Sequence, residues 1–118
     1  MKLKLEKELS TYRKLKSGKN GNNALRISLR YQKEEERGVY IDITPVNRTS
    51  GFDVVSDNTM TFCVKRLNRR SERTRVLIFS TIEFLADGIA SLYSQGGKEE
   101  QIKSYVISNV ESNLKNVR

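Results

Sequence analysis

The chain has no histidine and a single cysteine among its 118 residues. The side chain most often used as a base at neutral pH is therefore missing, and with it the commonest transition-metal ligand. Cys63, alone, cannot close an internal disulfide or supply half of a CxxC zinc site, and it points to a reducing, cytoplasmic compartment. Glu34, Glu35 and Glu36 are consecutive acids in a charged loop, a pattern read as solvated rather than metal-binding. No enzymatic activity is expected, and no cofactor or metal is implied. No apolar run approaches the length a bilayer demands, so no membrane partner is expected. Met1-Lys2-Leu3-Lys4 leads into alternating charges rather than a secretory apolar segment, and the glycosylation-like triplet Asn47-Arg48-Thr49 is read as chance. Gly18-Lys19 is followed by Asn20 where a Walker loop needs Ser or Thr, which rules out that phosphate site. No internal repeat is visible.

What the chain does have is positive charge. Its net charge is +8 and its pI near 9.8, a balance that suggests a polyanionic partner. The excess is uneven: residues 1–23 carry about +5 and residues 48–79 about +4, whereas residues 24–47 balance and residues 80–118 are slightly acidic.

The periodicity predicts an α+β domain over residues 24–118, behind a basic N-terminal segment, residues 1–23. In that segment Leu5, Leu9 and Tyr12 lie at helical spacing and favour a short helix, although the alternation Lys2-Leu3-Lys4-Leu5 also suits a strand. Leu25–Gln32 alternates cleanly, with Leu25, Ile27, Leu29 and Tyr31 on one side. After the charged hairpin loop Lys33–Gly38, a second strand puts Val39, Ile41 and Ile43 inward and ends at Pro45. Residues 47–58 are turn-rich, with an extended piece around Phe52–Val55, and Thr59–Leu67 forms a third strand with Met60, Phe62 and Val64 inward.

A basic loop, Asn68–Arg73, leads to a fourth strand at Thr74–Phe79. Ser80-Thr81-Ile82-Glu83 then reads as a capping box opening a helix over Thr81–Ser94, which Gly96-Gly97 stops. Lys98–Val117 is a second helix, with Ile102, Tyr105, Val106 and Val110 at its inner spacing. The expected class is thus α+β: a four- to five-stranded antiparallel sheet with helices packed on one face, in ββββα order plus a C-terminal helix.

The open side of this sheet would display Arg26, Ser28, Arg30, Gln32, Tyr40, Thr44, Thr61 and Lys65. The loop beside it would add Arg66, Arg69, Arg70, Arg73 and Arg75. Cations of this kind neutralise phosphates and release counterions, and an exposed Tyr40 offers a platform for an unpaired base. A basic, aromatic-bearing sheet face suits single strands, whose splayed bases lie flat on it. The expected partner is single-stranded DNA or RNA.

The strands Leu25–Gln32, Gly38–Val46, Thr59–Leu67 and Thr74–Phe79, followed by Ser80-Thr81-Ile82-Glu83-Phe84-Leu85-Ala86-Asp87, resemble one repeat of the Pur-alpha and Whirly group of single-strand binders over residues 24–95. That resemblance implies a paired or oligomeric assembly and sequence-tolerant binding to single-stranded DNA or RNA through the sheet. Single-stranded RNA phage coat proteins also place a sheet before two C-terminal helices in a chain of this size, and their sheet face binds RNA. A coat-like packaging protein is accordingly the alternative, with the expected N-terminal helix as its departure; a protein-binding adaptor is a third. A homodimer or higher oligomer is also suggested by Val76–Phe79, apolar on both faces, and by a separate helical stripe of Phe84, Gly88 and Ser91. The glycine would let another helix approach, from within the chain or from a partner.

Overall fold

The computed structural model describes residues 9–15, 22–32, 38–49, 52–55, 58–64 and 72–115. Five strands come first: β1 (Leu9–Lys14), β2 (Ala24–Gln32), β3 (Gly38–Thr49), β4 (Phe52–Val55) and β5 (Met60–Val64). Two helices, α1 (Glu72–Ser94) and α2 (Glu99–Lys115), complete the chain. All pairings are antiparallel. β1 pairs β2, β2 pairs β3, and the far edge of β3 carries β5 along its first half and β4 along its second. The sheet is open, and both helices cover one face of it. This is the α+β arrangement expected from the periodicity.

Alternation places Leu25, Ile27 and Leu29 of β2 opposite Pro45, Ile43 and Ile41 of β3. Ile41 and Ile43 in turn face Phe62 and Met60 of β5. This inner layer meets Ile78, Ile82, Leu85, Ala86 and Ile89 of α1 and Ile102, Val106 and Val110 of α2, forming one core. β3 does not end at Pro45 but runs on to Thr49. The Val46 carbonyl accepts from the Asn23 amide on the β2 side. Pro45, one residue earlier, therefore turns its nitrogen to the other edge, where the ladder passes from β5 to β4. The missing N–H falls in that gap.

Two elements differ from expectation. Leu9–Lys14 is a strand, not a helix: Leu9, Thr11 and Arg13 face inward and Ser10, Tyr12 and Lys14 outward. Thr74–Phe79 is helical, because α1 begins at Glu72 and runs for about 34 Å at 1.5 Å per residue. A four-residue apolar run cannot distinguish a buried strand from a buried helix turn. Here Ile78 simply continues the inner stripe of Ile82, Leu85 and Ile89. No capping box forms at Ser80. Thr81 lies mid-helix, its hydroxyl donating to the Leu77 carbonyl at 2.9 Å and accepting from Asn113 Nδ2 of α2 at 3.0 Å.

The end of α1 is as expected. Gly96 takes a left-handed φ of 82°, and the Gly97 and Gly96 amides donate to the Leu92 and Tyr93 carbonyls, the Schellman pattern. α2 opens with the Lys98 amide donating to Gln101 Oε1 at 2.8 Å, and Glu99, Glu100 and Lys115 oppose its dipole. The space left by Gly88 is filled by Tyr105 of α2, so the approaching helix comes from the same chain. By length and composition alone, Val76–Ser94 is apolar enough to cross a bilayer, with mean hydropathy 1.5, contrary to the sequence reading of the run lengths. Its inner stripe, however, is occupied by the core.

Candidate nucleic-acid interface

The face of the sheet turned away from the helices is laid out in cross-strand rows. Tyr12, Arg26 and Thr44 form one row across β1, β2 and β3. Ser10, Ser28, Asp42 and Thr61 form the next, and Arg30, Tyr40 and Cys63 a third. Arg48 of β3 stands opposite Asp53 of β4 on the same side. Period-two alternation in the five strands is what gathers these side chains. Among the described residues the face holds Lys14, Arg26, Arg30 and Arg48 against Asp42 and Asp53, an excess of positive charge.

Two clusters organise it. In the first, Arg30 donates through Nε to Asp42 Oδ2 at 2.8 Å and through Nη2 to Oδ1 at 3.2 Å, a bidentate pair. The Thr61 hydroxyl donates to the same Oδ1 at 2.8 Å. So held, the guanidinium lies over the Tyr40 ring, 4.8 Å from its centroid. In the second, the Tyr12 hydroxyl donates to Asp53 Oδ2 at 2.6 Å and Arg26 Nη1 to the same oxygen at 3.0 Å. Arg48 Nε stands 3.7 Å from Asp53 Oδ1, and its guanidinium covers the Tyr12 ring at 3.7 Å.

Asn23 fixes the strand beneath Arg48: its side-chain amide accepts from the Arg48 N–H at 2.8 Å and donates to the Arg48 carbonyl at 3.2 Å. The Tyr12 hydroxyl, aided by Arg26 and Arg48, holds the Asp53 carboxyl below its usual range against the opposing effect of burial. Burial, the bond to Asp53 and that residue's charge push the Tyr12 phenol up, with Arg48 and Arg26 acting the other way.

Of the residues singled out from sequence, Arg26, Arg30 and Tyr40 do share the helix-free face with Thr61, whereas Ser28 and Thr44, on the same side, are buried rather than displayed. Tyr40 is not bare, because Arg30 lies against it. Arg73 and Arg75 lie on α1 rather than on a strand and loop. Lys65, Arg66, Arg69 and Arg70 fall outside the described residues, as does the 33–37 loop. Sequence reasoning missed Tyr12, Lys14, Arg48 and Asp53. Tyr12 and Lys14 were signalled by the alternation Ser10, Tyr12, Lys14. Arg48 lies in the turn-rich stretch, and Asp53 in the extended piece within it, whose strand partner the sequence does not indicate. Cys63 is half-buried in its strand, the position the alternation gives it.

Among the described residues, the carboxylates of this face are Asp42 and Asp53. Both are engaged by arginines and hydroxyls, and no group of three His, Cys, Asp or Glu suited to a metal occurs among the described residues. A comparison with protein-family models, curated proteins and solved structures finds no match. The reading of the face rests on its geometry.

Proposed function

We propose that this chain binds single-stranded nucleic acid on the helix-free face of its sheet, without catalysis, and does so as a subunit of an oligomeric assembly. The observation that carries this reading is the convergence of Arg26, Arg30, Arg48, Tyr12 and Tyr40 on one helix-free side. Guanidiniums held flat by carboxylates lose little further freedom on meeting a ligand. Their remaining N–H groups suit phosphate oxygens, while their planes and the tyrosines suit bases.

Between a small oligomeric single-strand binder and a coat-like packaging protein, the order of elements favours the second. Five strands precede two C-terminal helices, and Leu9–Lys14 as a strand removes the N-terminal helix that stood against that arrangement. Phe52, Val54 and Val55 of β4 and Phe84 of α1 are exposed apolar side chains, which supports association.

Titrating labelled single-stranded and duplex oligonucleotides across a salt series tests the binding. The expected result is preference for single strands and a log K that falls with log salt, the slope shrinking by about 0.7 for each phosphate-contacting arginine removed. No binding to either form at low salt would sink the proposal. Electron microscopy of the purified protein with RNA decides the assembly: closed shells for the coat-like reading, discrete small oligomers for the other.

A further inference from the structure

We propose that Arg48, stacked on Tyr12, is a seat for one unpaired nucleobase, with Asp53 and Arg26 as the groups that position it. This rests on the binding reading above and names the contact within it. Four features carry it. One side of the Arg48 guanidinium lies on the Tyr12 ring at 3.7 Å, closer than Arg30 lies to Tyr40. Its Nε edge faces Asp53 at 3.7 Å, and its backbone is clamped by Asn23, so the strand position that carries the guanidinium is held before any ligand arrives. The Arg48 side chain remains 44% exposed, so the side turned away from Tyr12 is open. A guanidinium plane takes a base by stacking as an aromatic ring does.

The fourth feature is an imbalance of donors. Asp53 accepts from Tyr12 and Arg26 but only faces Arg48, at 3.7 Å, so among the described residues the half-exposed Arg48 guanidinium makes no hydrogen bond of its own. A nucleotide brings the acceptors this cluster lacks, on its base edges and its phosphate. Duplex nucleic acid cannot use the seat, because its bases are already stacked on one another.

Arg48→Lys keeps the charge and loses the plane. The probe is a short oligoadenylate carrying one 2-aminopurine, whose fluorescence is quenched on stacking, with affinity read by anisotropy. The wild-type protein should quench the probe. Arg48→Lys, checked for folding by circular dichroism, should bind roughly five- to a hundredfold more weakly, with diminished quenching and an unchanged salt slope. Equal affinity and equal quenching in Arg48→Lys would overturn the seat while leaving the sheet-face reading intact. So would a variant that loses thermal stability alone, for the cluster would then only anchor β4. A wild type that binds no probe removes both readings.

If Arg48→Lys fails to fold, ultraviolet cross-linking of an iodouridine-substituted oligonucleotide to the wild-type protein decides. Adducts on peptides containing Tyr12 or Arg48 are expected; adducts confined to other peptides would contradict the seat.

Discussion

Asp53 ties three strands together, accepting from Tyr12 of β1 and Arg26 of β2 and facing Arg48 of β3. Its carboxyl titrates below the ordinary 3.8, chiefly through the Tyr12 hydroxyl. The stabilisation it contributes is therefore complete above that unfolded value and is lost as pH falls through the lower folded value. Tyr12 is the opposite case: raised above 10.0, mainly by burial, it contributes stability below pH 10 that disappears as pH rises through its folded value. The urea midpoint should hold steady between about pH 5 and 9 and decline on both sides. Asp53→Asn should flatten the acid decline, and Tyr12→Phe should shorten both limbs, since it removes the titrating phenol and the largest cause of the Asp53 shift. Unaltered limbs in both variants would show that this cluster is not formed in solution.

Arg13 shows how a single residue can hide an element. It occupies an inward position of β1, where an apolar side chain is the usual sign of a strand. There its guanidinium reaches α1 instead, bonding Asp87 Oδ1 at 2.8 Å and the Glu83 carbonyl at 3.3 Å, while Nη1 donates to Thr11 Oγ1 at 2.9 Å. With Thr11 and Arg13 at inner positions, the alternation of β1 lost its hydrophobic signature. The helical spacing of Leu5, Leu9 and Tyr12 then prevailed by default.

At the scale of elements, legibility followed the covered face. β2 and β3 were readable because Leu25, Ile27 and Leu29 on one and Val39, Ile41 and Ile43 on the other alternate without a break, and α2 because its inner stripe and terminal charges agree. The start of α1 was not, because Val76–Phe79 satisfies a strand and a helix equally and Ser80-Thr81-Ile82-Glu83 happens to match a helix start. Ser80→Pro separates the two readings directly. At a helix start proline is tolerated, whereas in the interior it costs about 3 kcal/mol or more. The expected result is the large loss, measured by urea unfolding. On the same helix, Ile82→Ala should cost about 2–5 kcal/mol and Val76→Ala within about 0.5 kcal/mol, since Ile82 is fully buried and Val76 is 53% exposed. Comparable costs at the two positions would mean that α1 is rotated from the orientation described.

Over the whole molecule, the helices take one side of the sheet and leave the other to its arginines and tyrosines. Arg26, Arg30 and Tyr40 could be placed on that side from sequence because β2 and β3 alternate visibly. Tyr12, Arg48 and Asp53 could not, since their meeting depends on which strands become neighbours, and pairing across 41 residues, as between Tyr12 and Asp53, leaves no local pattern.

Amide chemical-shift mapping during titration with a short single-stranded oligonucleotide tests the central claim most directly. The expected result is perturbation of Tyr12, Arg26, Ser28, Tyr40, Arg48 and Thr61, with Glu83, Ser91, Gln101 and Glu111 on the outer sides of the helices unmoved. Perturbation concentrated on those helix positions, with the sheet face silent, would contradict the account.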